Sequence, residues 1–218
     1  MKIAISINSI SSSGISQYIG DSNVSYIDLK TLKLLRGYNA VPVLITDPNE
    51  IHEHDLQGII LPGSDLNDDK KRIEIDAALV ELSVQKKIPS LGICRGLQTL
   101  NLSLKGTVKK LHDNSIHKKN TNKNRSDLNH SACSIQNSIA YKCFGENMKT
   151  NGTHDLQVDK IGEGLTPTLM AEDGGIEALE MMNHPFFIGV QFHPELRADI
   201  DPHYRAIFDL FFKQCSYV

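Results

Sequence analysis

Short apolar runs alternate with longer amphipathic stretches along most of this chain, and this alternation is the feature that most restricts its fold. Short apolar runs are typical of buried strands, whereas apolar positions at helical spacing are typical of helices packed on one side. Strands and helices that alternate in this way predict βαβ units around a parallel sheet. We therefore expect an α/β fold in three layers, with a mostly parallel open sheet flanked by helices.

The elements predicted from this pattern cover most of the chain. The predicted strands are 2–8, 41–45, 56–62, 88–93, 130–135, 155–161, 175–181 and 186–192. The predicted helices are 24–37, 70–87, 95–104 and 202–214. Residues 9–23 are rich in Ser and Gly and are predicted to form a loop. With 218 residues, 40% of them hydrophobic, and no linker or internal repeat, we expect a single domain over residues 1–218.

Charge and hydropathy exclude several classes of function. A formal net charge of −3 gives no electrostatic reason to expect nucleic acid or an anionic membrane as a partner. No apolar run approaches the roughly 20 residues that span a bilayer. The N-terminus lacks the longer apolar centre of a secretory signal, so we expect a cytoplasmic protein. The polar stretch 112–127 has no apolar periodicity and is predicted to be an exposed loop.

The four cysteines are scattered along the chain without CxxC spacing, so the sequence predicts neither a disulfide framework nor a metal site. No phosphate-binding motif is present either, and we expect no cofactor. Three of the cysteines are interpreted as small buried or incidental residues. Cys94 differs, because it stands between a predicted strand and a predicted helix.

The stretch GICRG at 92–96 resembles a nucleophile elbow with cysteine in place of serine. A residue at such a corner projects from the carboxyl edge of the sheet, where open α/β sheets place their active sites. Gly92 and Gly96 leave room for the neighbouring strands, and the following helix N-terminus stabilises a thiolate. On the pentapeptide alone, Cys94 could equally be a small residue packed at the end of a strand.

A base for this cysteine is found in the stretch GVQFHPE, where a buried strand ends in His193 and Glu195. Residues two apart on an extended segment point to the same side, and Pro194 favours extended geometry at His193. Glu195 could then hold one imidazole nitrogen while the other faces the thiol. The pair favours a catalytic role for Cys94 over a structural one.

The stretches LGICRGLQ and VQFHPE together resemble the class I glutamine amidotransferases. The first strand, the segment GIILPGSD, the elbow, an N-x-x-H motif at 151–154 and the final HPE follow the order of that family. Arginine after the cysteine resembles most closely the gamma-glutamyl hydrolase-like branch, peptidase family C26, which includes gamma-glutamyl-GABA hydrolases. The resemblance implies a flavodoxin-like class I glutamine amidotransferase fold and its strand order.

The resemblance also implies roles for particular residues. Cys94 would attack a gamma-glutamyl amide and form a thioester, His193 would act as acid and base, and Glu195 would orient His193. Backbone N–H groups of Ser64 and Arg95 would form the oxyanion hole. Further residues are predicted to bind the substrate: Gly63, Gln98, His130, Asn151 and His154.

These residues predict first a stand-alone hydrolase that releases glutamate and an amine from a small gamma-glutamyl substrate. A second hypothesis is a glutaminase subunit that delivers ammonia to a synthetase partner. A third is a binding or regulatory protein on the same fold, which the intact Cys94, His193 and Glu195 set disfavours. Related hydrolases are often dimers, so a homodimer is an expectation as well.

Overall fold

The structure is a computed structural model that describes residues 1–10, 24–64, 70–118 and 124–218. Its strands are β1 Lys2–Ser6, β2 Asn8–Ile10, β3 Val24–Tyr26, β4 Val41–Ile45, β5 Gly58–Leu61, β6 Ser90–Ile93, β7 Thr107–Lys110, β8 His130–Ser134, β9 Asn147–Thr150, β10 Leu156–Lys160, β11 Thr166–Ala171, β12 Ile176–Glu180 and β13 Phe187–Val190. Its α-helices are α1 Leu29–Gly37, α2 Lys70–Lys86, α3 Arg95–Ser103, α4 Ile139–Phe144 and α5 Pro202–Cys215.

One large sheet organises the molecule, in the order β4-β1-β5-β6-β13-β12-β11-β8-β9. From β4 to β13 all neighbours are parallel, while β12, β11, β8 and β9 add an antiparallel half. The pairs β7-β10 and β2-β3 form small separate sheets. The expected α/β class is confirmed, and its parallel half is the part that can gather strand ends at one edge.

Helices cover both faces of this sheet because its strand residues alternate between two apolar clusters. Ile3 and Ile5 of β1 lie in a cluster with residues of α1, α4 and α5. Ala4, between them, lies in a second cluster with residues of α2 and α3. Successive strand residues point to opposite faces, so both faces of a central strand are buried and apolar. The three-layer arrangement predicted from the sequence follows from this alternation.

Several elements begin or end elsewhere than predicted. The predicted helix 24–37 is wrong at its start, where the chain forms β3. Helix α1 begins only after Asp28, because the Asp28 carboxylate caps it by accepting the backbone N–H of Lys30 at 2.6 Å. Sequence periodicity also missed β7, β9, β11 and α4, which are short and partly polar. Of the predicted loop 9–23, the first residues belong to β2, and residues 11–23 lie outside the described part.

Strand β4 is an edge strand, and it carries a proline. The backbone N–H of Val41 bonds the carbonyl of Met1 at 2.8 Å, so the nitrogen of Pro42, the next residue, faces the open edge. A proline has no N–H, and edge strands are where the sheet tolerates it. Within the described residues, no helix is both long and apolar enough to cross a membrane.

The elbow between β6 and α3 requires glycine because backbone passes very close to it. A Cβ at Gly96 would lie 2.0 Å from the carbonyl oxygen of Leu61 on β5, and one at Gly92 would lie 2.7 Å from the backbone of Gly96. Real Cβ atoms do not approach other atoms so closely. The prediction that small residues flank Cys94 for steric reasons therefore has a structural basis.

Replacing Gly96 by alanine is expected to lower the free energy of unfolding by about 3 kcal/mol, since the methyl group would force β5 and α3 apart. Gly37→Ala is the matched control, because a Cβ there meets nothing within 4 Å, and we expect it to leave stability unchanged or slightly raised. Urea denaturation of both variants measures the effect. Equal stability of the two would contradict the close packing at the elbow.

Candidate active site

Three neighbouring parallel strands deliver the predicted catalytic groups to one edge of the sheet. Strand β5 leads to Gly63 and Ser64, β6 leads to Cys94, and β13 leads to His193. Their registers match, with Leu61 beside Gly92 and Val190 beside Ile93. Since all three strands run in the same direction, their carboxyl ends meet, and segments far apart in sequence come into contact.

Cys94 occupies the corner in a strained backbone conformation. Its φ of 53° and ψ of −103° lie outside the regions that side chains other than glycine favour, a strain that costs of order 1–3 kcal/mol. The Cys94 N–H donates to the carbonyl of Val190 at 2.7 Å, which fixes the corner against β13. Helix α3 starts immediately afterwards, so its positive end lies beside the thiol.

A side-chain amide also contacts the sulfur. Gln191 Nε2 donates to Cys94 Sγ at 3.6 Å, and its Oε1 accepts from Gln98 Nε2 at 3.3 Å. Gln98 therefore lies behind the thiol, where it also donates to the carbonyl of Leu156 at 3.0 Å. Gln191 was missed by the sequence reasoning, although its position two residues before His193 places both on the same side of the strand.

His193 is held by Glu195 and has an unusually high basicity. Its Nδ1 donates to Glu195 Oε1 at 2.7 Å, which leaves Nε2 for the thiol. Burial disfavours the charged ring, but the Glu195 carboxylate and then the Cys94 thiolate favour it more strongly and raise the pKa of His193 to about 10. The raised pKa therefore favours the imidazolium form of the His193 ring beside Cys94.

Arg125 approaches the same histidine from the polar segment. Its Nη2 lies 3.2 Å from His193 Nε2, a contact in which the guanidinium can donate only to the neutral ring. Protonation of the ring makes this contact repulsive. The raised pKa of His193 nevertheless favours the imidazolium form, in which Nδ1 bonds the Glu195 carboxylate. No sequence signal pointed to Arg125, which belongs to the stretch 112–127 that was predicted to be an exposed loop. Residues 119–123 of that stretch lie outside the described part of the chain.

Asn151 secures the backbone of the histidine. Its Nδ2 donates to the carbonyl of His193 at 2.9 Å and to that of Arg125 at 3.1 Å, and its Oδ1 accepts from the His193 N–H at 3.2 Å. The side chain is fully buried. Asn151 was predicted to bind substrate; the structure shows that its amide connects His193 to the segment that carries Arg125.

Gly63 lies directly against Cys94 and His193. A Cβ at this position would come within 2.9 Å of His193 Cε1 and 3.6 Å of Cys94 Cβ. The backbone at Gly63 and Ser64 therefore faces the space between nucleophile and base. On the other side, Arg95 is the first residue of α3, where N–H groups have no partner within the helix. Both predicted oxyanion-hole segments border the thiol.

A buried ionic network lies beneath these two segments. Asp76 of α2 binds Arg72 at 2.8 Å and Arg95 at 2.7 Å, and all three side chains are at least nine-tenths buried. Arg72 also donates to the carbonyl of Pro62 at 3.0 Å, just before Gly63. The network thus connects the turn after β5 to the start of α3 and fixes their separation.

A cavity of about 660 Å³ opens beside His193 and Ser64. Its lining combines apolar and charged side chains, and it includes Asp28, Lys30 and Arg125 as well as Glu195. Such a volume suits a small polar molecule.

Two residues predicted to bind substrate lie elsewhere. His130 and His154 are buried against Glu177 of β12, at Nε2–Oε1 distances of 2.9 Å and 3.9 Å.

His117 joins them with only 1% of its surface exposed, so the prediction of an exposed loop over 112–127 is wrong at that position. His117, His154 and Glu177 each offer one potential ligand atom within 4.8 Å of the others, which makes them the candidates for a metal within the described residues.

Comparison with known proteins identifies the family of this chain. The family model described as Peptidase C26 matches residues 3–195. The chain belongs to the peptidase C26 family. Among curated relatives, the gamma-glutamyl-gamma-aminobutyrate hydrolase PuuD of Escherichia coli strain K12 is 25% identical over 206 residues, covering 82% of this chain and 80% of its own length. A provisionally named glutamine amidotransferase of Schizosaccharomyces pombe is 27% identical over 188 residues, covering 82% of this chain and 73% of its own length.

A solved structure shows the same fold. It is described provisionally as a GMP synthase subunit from Thermoplasma acidophilum, and it matches with a TM-score of 0.67 at 17% identity over 100% of this chain and 94% of the other. The resemblance to C26 proteins and the class I glutamine amidotransferase fold expected from the sequence are both confirmed. Membership supports an amidotransferase-like hydrolase. The roles of individual site residues and the single domain stay predictions.

Replacing Glu195 by glutamine is expected to lower the pKa of His193 from about 10 by roughly 1–3 pH units, because the imidazolium loses its anionic partner at Nδ1. An NMR titration of the His193 ring nitrogens measures this shift. Glu163→Gln, which removes an exposed carboxylate paired with Lys105, is the control and should leave the pKa of His193 unchanged. An unaltered pKa in Glu195→Gln would contradict the assigned ion pair.

Replacing Asp76 by asparagine is expected to cost about 3–5 kcal/mol of folding free energy, because two guanidinium groups lose the carboxylate between them while still buried. Asp159→Asn, at an exposed pair with Lys109, is the control and should leave stability almost unchanged. Chemical denaturation compares the two. A loss in Asp76→Asn no larger than in the control would show that the network does not hold the elbow.

Proposed function

We propose that this protein is a cysteine-dependent hydrolase of gamma-glutamyl amide bonds that works through a thioester. One observation carries the proposal: Cys94 stands at a strained elbow beside His193, whose other nitrogen bonds Glu195 at 2.7 Å. A structural cysteine would not need strained backbone, a buried base and an orienting carboxylate together. These features suit nucleophilic catalysis of acyl transfer.

In the first half of the reaction, the Cys94 thiolate attacks the amide carbonyl carbon. The negative charge that develops on the carbonyl oxygen would be met by the N–H groups of Ser64 and Arg95. His193 then gives the Nε2 proton to the leaving nitrogen, the C–N bond breaks and the amine departs. The glutamyl group remains on Cys94 as a thioester.

In the second half, water enters where the amine was. His193, now neutral, takes a proton from this water as its oxygen attacks the thioester carbonyl. The C–S bond breaks, glutamate is released and Cys94 leaves as thiolate beside the imidazolium. One water is consumed for each amide bond cleaved, and the starting ion pair is restored.

The charges around the cavity fit a gamma-glutamyl group. This group carries an α-carboxylate and an α-ammonium at one end and the amide at the other. Lys30 and Arg125 supply cations and Asp28 an anion at the cavity wall. A substrate carboxylate beside Arg125 would also relieve its repulsion with the protonated His193. The likeness to enzymes named gamma-glutamyl-gamma-aminobutyrate hydrolase supports the same substrate class.

Glutamate release from a panel of gamma-glutamyl amines, with glutamine included, tests the proposal on the purified protein. Turnover of at least one gamma-glutamyl amine is expected, and Cys94→Ala should lower kcat by roughly 10⁴–10⁶-fold while leaving the protein folded. Cys133→Ala is the matched control, because it removes an exposed thiol outside the site and should keep the original rate.

Two results would contradict the proposal. Turnover that persists in Cys94→Ala would exclude the thioester route. Turnover of glutamine alone, or none across the panel, would contradict a stand-alone hydrolase of gamma-glutamyl amines and favour instead a glutaminase that delivers ammonia to a synthetase partner.

A further inference from the structure

A second group of ionisable side chains lies outside the catalytic centre and has no part in the mechanism above. It is buried, and its members come from four separate segments of the chain. We call it the histidine cluster: His117, His130, His154 and Glu177. The rings pack closely, with centroid distances of 4.2 Å from His117 to His130 and 5.1 Å from His117 to His154. Glu177 lies at its centre with no exposed surface.

The hydrogen bonds of His154 determine which of its nitrogens carries a proton. Its Nδ1 lies 2.8 Å from the carbonyl oxygen of Leu156. A carbonyl only accepts, so Nδ1 must donate, and the neutral ring then has a lone pair on Nε2. Nε2 is buried 3.9 Å from Glu177 Oε1 and has no hydrogen-bond partner. A lone pair thus faces a carboxylate.

His117 repeats this arrangement in the opposite orientation. Its Nε2 lies 3.0 Å and 3.1 Å from the two oxygens of Asp173, which can only accept while the carboxylate is ionised. Nδ1 therefore carries the lone pair of the neutral ring. It lies 3.1 Å from Glu177 Oε1, yet outside hydrogen-bond geometry. Glu177 Oε2 also has no hydrogen-bond partner, and a buried polar atom without a partner is costly.

We propose that His117 Nδ1, His154 Nε2 and the Glu177 carboxylate bind one divalent transition-metal ion of the zinc type. If His117 Nδ1 and His154 Nε2 were both protonated, two imidazolium rings would be in contact. The proton on His117 Nδ1 would also not point at the Glu177 carboxylate. One divalent ion satisfies both lone pairs and the carboxylate at once. Imidazole nitrogen together with carboxylate oxygen is a ligand set that Zn²⁺ accepts.

The distances suit such an ion. Bonds of about 2.0–2.2 Å place the donors of a tetrahedral zinc roughly 3.3 Å apart. The His117 and His154 nitrogens lie 3.1 Å and 3.9 Å from Glu177 Oε1, on either side of that value. His130 Nε2 lies 2.9 Å from the same oxygen and 2.9 Å from Thr150 Oγ1, so its hydrogen bonds hold the Glu177 carboxylate in place.

The outer contacts also match those of metal sites. Ligating histidines commonly donate their second N–H to a carboxylate or a backbone carbonyl, which fixes the ring orientation. Asp173 does this for His117, and the carbonyl of Leu156 does it for His154. The His154 N–H further donates to the carbonyl of His117 at 3.0 Å, so the two ligand segments are joined by backbone as well.

The three ligands are buried and lie outside the lining of the cavity beside His193, so the ion would have a structural role. The ion would connect the segment after β7, the β9–β10 connection and β12. Asn151, three residues before His154, holds the backbone of His193. Metal binding would therefore stabilise the side of the active site that carries the general base, without contacting the substrate.

The test uses the full chain with Cys94→Ala, so that the thiolate beside His193 cannot itself bind zinc. The protein is treated with a chelator, dialysed and titrated with ZnCl₂ against a chromophoric chelator, and bound metal is counted by mass spectrometry. We expect one zinc per chain and a higher Tm after zinc is added. Glu177→Gln in the same background should abolish the tight binding.

A milder variant covers the case in which Glu177→Gln does not fold. Asp173 is half-exposed and accepts the Gly175 N–H, which asparagine can also do, so Asp173→Asn should fold and bind zinc about 10–100-fold more weakly. Asp201→Asn is the matched control, since it alters a carboxylate 3.4 Å from His203, away from the cluster, and should leave zinc affinity unchanged.

Two outcomes would overturn the proposal. The first is the absence of stoichiometric zinc binding by the Cys94→Ala protein, which would mean that protons occupy the cluster. The second is binding that is equally tight in Asp173→Asn and in the control, which would place the zinc elsewhere.

Discussion

The approach of Gly96 to the Leu61 carbonyl, where a Cβ would lie only 2.0 Å away, is the constraint on which the active site depends. It presses the start of α3 onto the end of β5, and so brings the backbone of Arg95 near that of Ser64. The same contact forces the chain at Cys94 into its strained corner. Cys94 and the predicted oxyanion-hole segments are thus placed by backbone packing, and the buried Asp76 network fixes their separation.

The strain at Cys94 persists because surrounding bonds hold both ends of the corner. The N–H of Cys94 bonds β13, and the Arg95 side chain is fixed by Asp76 below. His193 is fixed in the same way, through Asn151 at its backbone and Glu195 at its ring. Cys94 and His193, from separate strands, therefore keep a constant separation, which the proposed acyl transfer would require.

The parallel half of the sheet and the Cys94, His193 and Glu195 set could be predicted from the sequence because their signals are local. Buried strands give continuous apolar runs, and the elbow and the HPE ending each occupy a few adjacent residues. Arg125 and Gln191 carry no such signal, since their roles depend on which distant segments they meet. The histidine cluster was missed for the same reason, because its members come from four segments that no sequence spacing connects.

Pro42 in the edge strand β4 has a consequence for association between molecules. An open sheet edge offers a row of N–H and C=O groups to which a strand of another chain can add. At Pro42 this row lacks a donor, and β4 also exposes the apolar side chains of Val41 and Leu44, at 58% and 45%. Without the proline, this edge would present an apolar strand with a complete row of N–H and C=O groups. The single missing N–H therefore protects the protein against sheet extension and fibre-like aggregation.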